Sequence, residues 1–168
     1  MRQVERTEAA VDRQTFRDAM SRYGGSVHVV TTDGPAGRAG ITVTAACSVS
    51  DAPPTVLVCV NHGSPANATI KANGCFCINT LAAGAEPIAD AFAGRGGLSV
   101  DARFGLGVWD VLETGAPVLS AARVAVDVRV DQVVEADTHS IIIGRVVDAT
   151  LGDEGGALLH IDREYRTL

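Results

Sequence analysis

The sequence predicts a mainly β domain with short helices, on three observations. Residues 40–50 alternate at the two-residue period of a strand, TVLVCVN at 55–61 is a near-continuous apolar run, and ARVAVDVRVDQVVEA at 122–136 alternates again. Strands outnumber helices, and neither a repeat nor a linker interrupts the 168 residues, so residues 1–168 read as one domain with room for a core.

The elements follow in order. An opening helix is expected to end at Gly24-Gly25, followed by strands near 26–32, 39–50 and 55–61. In the second of these, Ile41, Val43, Ala45, Cys47 and Val49 form a core face, while Thr42, Thr44, Ala46, Ser48 and Ser50 form a small, polar, uncharged face. An ordinary solvated face carries Lys, Glu or Arg, so this one reads as a wall kept flat for a ligand. Asp51, Pro53 and Pro54 make a turn, since proline cannot donate to a ladder. The run 55–61 is apolar enough to be buried on both faces.

A short helix starts next, with Ser64 as N-cap, Pro65 at the first helical position and Asn73-Gly74 as the stop. Its unpaired N–H groups and dipole favour a phosphate, with Ser64, Asn67 and Thr69 as nearby polar side chains. A strand at 75–81 and a helix near 86–94, with Ile88 and Phe92 four apart, come next. The Gly-rich stretch 96–117 is expected to be irregular. In 122–136, Val124, Val126, Val128 and Val130 point inward and Asp127, Arg129 and Asp131 outward. Strands SIIIGRVVDATL and ALLHIDREY, parted by the polar turn 152–156, complete the sheet.

Composition excludes several classes of function. A formal charge of -6 and a single lysine, Lys71, leave no basic cluster for nucleic acid. No run of 18 apolar residues exists and the N-terminal MRQVERTEAAVDRQ is charged, so neither a membrane span nor a signal peptide is expected and the compartment is cytoplasmic. Cys47, Cys59, Cys75 and Cys77 lie in apolar runs as reduced thiols, with no Cys or His at zinc spacing, so no metal is expected. The Gly-x-Gly pairs 94–96 and 105–107 lack the strand, helix and third glycine of a dinucleotide fingerprint. There is no Rossmann domain.

The chain resembles the short-chain flavin reductases, the reductase components of two-component flavin-dependent monooxygenases, of the 4-hydroxyphenylacetate 3-monooxygenase reductase type. The resemblance runs through FRDAMSRYGGSVHVVTT (16–32), GITVTAACSVSDAPPTVLVCVN (40–61), CFCINTL (75–81) and AFAGRGG (91–97). It continues through RFGLGVWDVLETGAPVLSAA (103–122), DTHSIIIGRV (137–146) and LLHIDREYRTL (158–168). It implies a six-stranded antiparallel split β-barrel of the FMN-binding type, a homodimer, and hydride transfer from NADH or NADPH to FMN or FAD. The reduced flavin would then leave for a separate monooxygenase.

By the same resemblance, the flavin ring lies against Thr42, Thr44, Ala45, Ala46, Ser48, Val49 and Ser50. Asn61, Ser64, Asn67 and Thr69 are further flavin-binding candidates, Ser64 and Asn67 towards the phosphate, and Ala93, Gly94 and Arg95 lie towards the phosphate or an adenylate end. His139 stands as the catalytic candidate, near flavin and nicotinamide, with Arg163 and Tyr165 as further nicotinamide contacts. His160 and Ile161 occupy places where the family often has aromatics. Two other readings stay open: a split-barrel oxidase of the pyridoxamine phosphate oxidase-related type, which would need clustered Arg and Lys for a substrate phosphate, and a non-catalytic flavin-binding barrel.

Overall fold

A computed structural model describes residues 11–168. Helix α1 (Arg13–Ser21) is capped by Asp12, whose carboxylate accepts from the N–H groups of Gln14 and Thr15. Strands β1 (Gly25–Ser26), β2 (His28–Thr32), β3 (Ala39–Val43), β4 (Ala46–Asp51) and β5 (Pro54–Asn61) follow. Helix α2 (Pro65–Asn73) starts on Ser64 and stops at Gly74 in the left-handed region (φ 69°), as the sequence predicts. Next come β6 (Cys75–Thr80), α3 (Glu86–Phe92), a 3₁₀ turn (Arg95–Gly97), α4 (Val100–Phe104), β7 (Trp109–Val111) and β8 (Pro117–Leu119). Two 13-residue strands, β9 (Val124–Ala136) and β10 (His139–Leu151), precede the hairpin of β11 (Leu158–Ile161) and β12 (Glu164–Thr167).

The fold is mainly β with short helices. Its main sheet runs β3-β2-β6-β9-β10-β5-β4, antiparallel throughout. The two edge strands, β3 and β4, are joined by Thr44 and Ala45 alone, so the sheet must curl until its edges meet there. Two apolar clusters lie on opposite faces. Val30, Val58, Val60, Phe76, Val128 and Ile142 pack inside the curl with Ile70 of α2. Val29, Cys77, Ala125 and Leu158 pack outside it with Phe92 of α3, Phe104 of α4 and Val118 of β8.

This double core explains where sequence and structure part. The stretch 39–50 is two strands, which is why the sheet counts seven strands rather than the six the resemblance implies. The break at 44–45 also exchanges the faces. Val43 is buried, but beyond the break Ala46 packs against the core while Ala45 and Cys47 are exposed and Val49 is 52% exposed, so the expected core face ends at Val43. Strand β5 is not buried on both faces: Val58 and Val60 are fully buried, Leu57 and Cys59 only half. The doubly covered strands are β2 and β6 instead.

Asp127 is not outward but fully buried, because the outer cluster covers the first half of β9. Its carboxylate accepts from the N–H (2.7 Å) and hydroxyl (2.5 Å) of Thr114. The stretch 96–117 is ordered into the 3₁₀ turn, α4 and β7 rather than irregular. ALLHIDREY is a hairpin and not one strand, its turn made by Asp162 and Arg163 at φ 52° and 63°.

Candidate functional site

Strand β3 has a cleft at each end, and Ala93 lines both. The larger, about 430 Å³, is bounded by Gly40 and Ile41 of β3, Asn61 at the end of β5, Ser64 and Ala66 at the start of α2, and Phe92, Gly94, Arg103 and Phe104. Its volume falls in the range of small-ligand pockets. The smaller, about 200 Å³, is lined by Val27, Thr42, Val43, Thr44, Ala93, Arg95, His160 and Tyr165.

Local chemistry shapes the larger cleft. Gly40 lies against the Phe92 ring so closely that a Cβ there would come within 2.6 Å of it. Phe92 in turn packs edge-on to Phe104 (5.0 Å) and Trp109 (5.7 Å), and the Trp109 indole N–H donates to the Phe104 carbonyl at 2.8 Å. Arg38 lies 4.4 Å over the Phe104 ring and pairs with Asp101 at 2.8 Å. Arg103 uses its Nε on the Leu98 carbonyl, and among the described residues it makes no ion pair. Ser64 opposite it caps α2, accepting from the Ala66 N–H.

Two residues of the smaller cleft share a partner outside it: Asp90 of α3 accepts both the Tyr165 hydroxyl (2.9 Å) and Arg95 Nη1 (2.8 Å) on one oxygen. Burial, and then the Asp90 carboxylate, push the Tyr165 phenol up to about 12. His160, opposite Tyr165 in the β11–β12 register, meets its ring edge-on at 5.6 Å. It fills a place where the resemblance looks for an aromatic.

The residues expected at the site are thus only partly gathered. Asn61, Ser64, Ala93 and Gly94 line the larger cleft, and Thr42, Thr44, Ala93, Arg95 and Tyr165 the smaller. The Thr42 hydroxyl is committed to the Ala89 carbonyl at 2.6 Å. Ala45, Ala46, Ser48, Val49 and Ser50 line neither cleft; Ala45 lies in the break and the others run along β4, an edge strand that pairs only with β5. Asn67 is buried, donating to the Val60 carbonyl and the Ser140 hydroxyl, and Thr69 spends its hydroxyl on the Pro65 carbonyl. Arg163 pairs with Asp18 on α1.

His139 opens β10 opposite Asn61, half-buried, with Nδ1 2.8 Å from the Thr138 hydroxyl. Beside it, Glu135 takes Ser140, Lys71 and His62, and these contacts, the Ser140 hydroxyl first, hold its carboxyl down to about 2. Through Asn67 and Ser140 this network fastens α2 to β10. Sequence reasoning missed Arg103, Phe104, Gly40 and Phe92 as cleft residues. The only sign of them was the Arg103-Phe104 pair inside a glycine-rich stretch.

A curled antiparallel sheet with two clefts along one strand defines a mainly β domain with room for small ligands. Residues 20–168 match the flavin reductase like domain, and the chain belongs to that family. It is 47% identical over 168 residues to the FMN reductase (NADH) RutF of Agrobacterium fabrum, across 96% of this chain and 95% of that protein. Among solved structures it is similar to the NADH:FAD oxidoreductase SgcE6 of Streptomyces globisporus, in complex with NAD and FAD fragments, at TM-score 0.84 and 30% identity over 92% of each chain. It is also similar to BorF, the flavin reductase component of a bacterial two-component tryptophan halogenase, at TM-score 0.86 and 28% identity, covering 94% and 98% of the chains.

Proposed function

We propose that residues 1–168 form a single-domain NADH:FMN oxidoreductase, which releases reduced flavin to a separate monooxygenase or similar flavin-using enzyme. The observation that carries this reading is the pair of clefts at the two ends of β3, sharing Ala93 and giving room for two ligands side by side, in a chain 47% identical to an FMN reductase (NADH). The residues present fit a flavin nucleotide. Ile41, Phe92 and Ala93 supply an apolar wall, and Ser64 and Arg103 supply polar groups at the α2 start where a phosphate is favoured.

The flavin ring is proposed to lie along Thr42–Ser50. The outer backbone edge of β4 has no ladder partner within the sheet, and its N–H and C=O groups are available to a ring with donors and acceptors. Hydride transfer is chemistry the two nucleotides supply themselves. The protein's part is to bind and orient them: Arg95, His160 and Tyr165 at the smaller cleft, and His139 from the Asn61 side of the larger one. The curled sheet, with β3 and β4 counted as one bent strand, is read as the six-stranded split barrel.

A homodimer is proposed because Leu57 and Cys59 of β5, Ile141 and Ile143 of β10 and Val134 of β9 share one half-covered outer face. No helix among the described residues is long and apolar enough to cross a membrane, and the four cysteines are free; we place the enzyme in the cytoplasm. The test is NADH oxidation by purified protein with and without FMN. Oxidation that requires FMN supports the reading. Flavin binding without oxidation would favour the non-catalytic barrel, and oxidation without flavin a different reductase class.

A further inference from the structure

Asp90 stands apart from the other carboxylates near the clefts, because it lines neither cleft yet holds two residues that line one. Arg95 sits between Gly94 and Gly96, at φ 84° and 76°, on backbone that places little restraint on a long side chain. Tyr165 belongs to the last strand of the chain. Asp90, by contrast, is on α3 between Ala89 and Ala91, both buried, so its backbone is anchored on the core and its half-exposed side chain projects from a fixed point. One of its oxygens takes both partners at 2.8 and 2.9 Å, and the Arg95 guanidinium then lies 5.9 Å from the Tyr165 ring. Three elements that share no hydrogen-bond ladder, namely helix, glycine turn and terminal hairpin, are pinned together at the mouth of the smaller cleft.

We propose that Asp90 is a positioning residue for nicotinamide-dinucleotide binding, holding Arg95 as a fixed cation and Tyr165 as a fixed ring face. This rests on the NADH:FMN oxidoreductase reading. A dinucleotide brings an anionic pyrophosphate and a flat cationic or neutral ring, which are the two chemistries that a guanidinium and an aromatic face recognise. Without Asp90, Arg95 would sample many rotamers and the dinucleotide would have to order it on binding, a cost that appears in KM rather than in the chemical step.

The test compares wild type with Asp90→Ala, Asp90→Asn, Tyr165→Phe and Arg95→Lys in steady-state assays with NADH and FMN, together with an ultraviolet pH titration of tyrosine. Tyr165 faces Asp90, Arg95 and Glu86 as well as the His160 ring, and Tyr23 is the only other tyrosine, so Tyr165→Phe assigns the high-pH step. Asp90→Ala should raise KM for NADH roughly tenfold with kcat within about twofold, and FMN affinity should be unchanged. Asp90→Asn, which keeps an acceptor, should restore part of the KM and move the Tyr165 step down from about 12. An unchanged KM in Asp90→Ala, or an equal loss of FMN affinity, overturns the proposal. If wild type itself fails to oxidise NADH with FMN, the oxidoreductase reading fails, and the proposal with it. A Tyr165 step that stays put in Asp90→Asn overturns the contact itself.

Discussion

Replacing Gly40 by alanine drives a methyl group into the ring of Phe92. The new Cβ would lie 2.6 Å from Cε1 and 2.7 Å from Cδ1 of that ring, with the Val30 carbonyl oxygen at 3.4 Å on its other side. Phe92 is 2% exposed and held edge-on by Phe104 and Trp109, so it cannot yield without displacing both. Overpacking of this kind costs roughly 1–3 kcal/mol. In a chain of this size each kcal/mol is worth about 2–4 °C of Tm, so Gly40→Ala should lower Tm by roughly 2–12 °C. Because Phe92 and Phe104 line the larger cleft, FMN affinity should fall in the same variant. Calorimetry and flavin fluorescence titration check both, with Gly155→Ala as control, since nothing lies within 4 Å of a Cβ at Gly155. A Gly40→Ala protein as stable as wild type and equally able to bind FMN would refute the packing argument.

Three other predictions follow from single groups. Burial lowers the His28 imidazole to about 4, so the folded state resists its protonation. The unfolded chain takes up that proton near pH 6.5, so stability should fall as pH drops from 7.5 to 5, by roughly 2 kcal/mol. Urea midpoints should show that slope in wild type and lose most of it in His28→Gln; equal slopes would rule His28 out as its source. His139→Ala should raise KM for NADH or lower kcat roughly tenfold, while FMN affinity stays within about threefold; parallel losses in both ligands would move His139 to the flavin side. Leu57→Glu puts a carboxylate on the half-covered outer face, where it lies opposite Cys47 and Ile143, and should convert a dimeric mass to a monomeric one in light scattering at micromolar concentration. An unchanged dimer would place the interface elsewhere.

What could be read from the residues was whatever a local pattern encodes. The Ser64-Pro65 start and Asn73-Gly74 stop of α2 are local backbone chemistry, and the structure has them where the sequence puts them. The alternation of 39–43 was equally legible. Its failure beyond Val43 came from topology, because β3 and β4 lie at opposite edges of one curled sheet and a two-residue break exchanges the faces. Asp127 looked outward because its neighbours alternate, and only a second core on the outer side of β9 buries it. Residues that line the clefts could be read where they share a segment, as at 61–64 and 93–95. Arg103, Phe104 and His160 reach the clefts through long-range packing of α4 and the terminal hairpin, which no spacing in the sequence records.

On the proposed function, the enzyme reduces a flavin it does not keep. Purified protein and NADH on one side of a dialysis membrane, with FMN equilibrated across both sides under anaerobic conditions, tests it directly. Flavin absorbance should bleach in the protein-free compartment, at a rate set by the enzyme and absent without it. Bleaching confined to the protein side, with flavin that stays bound through repeated dialysis, would contradict it.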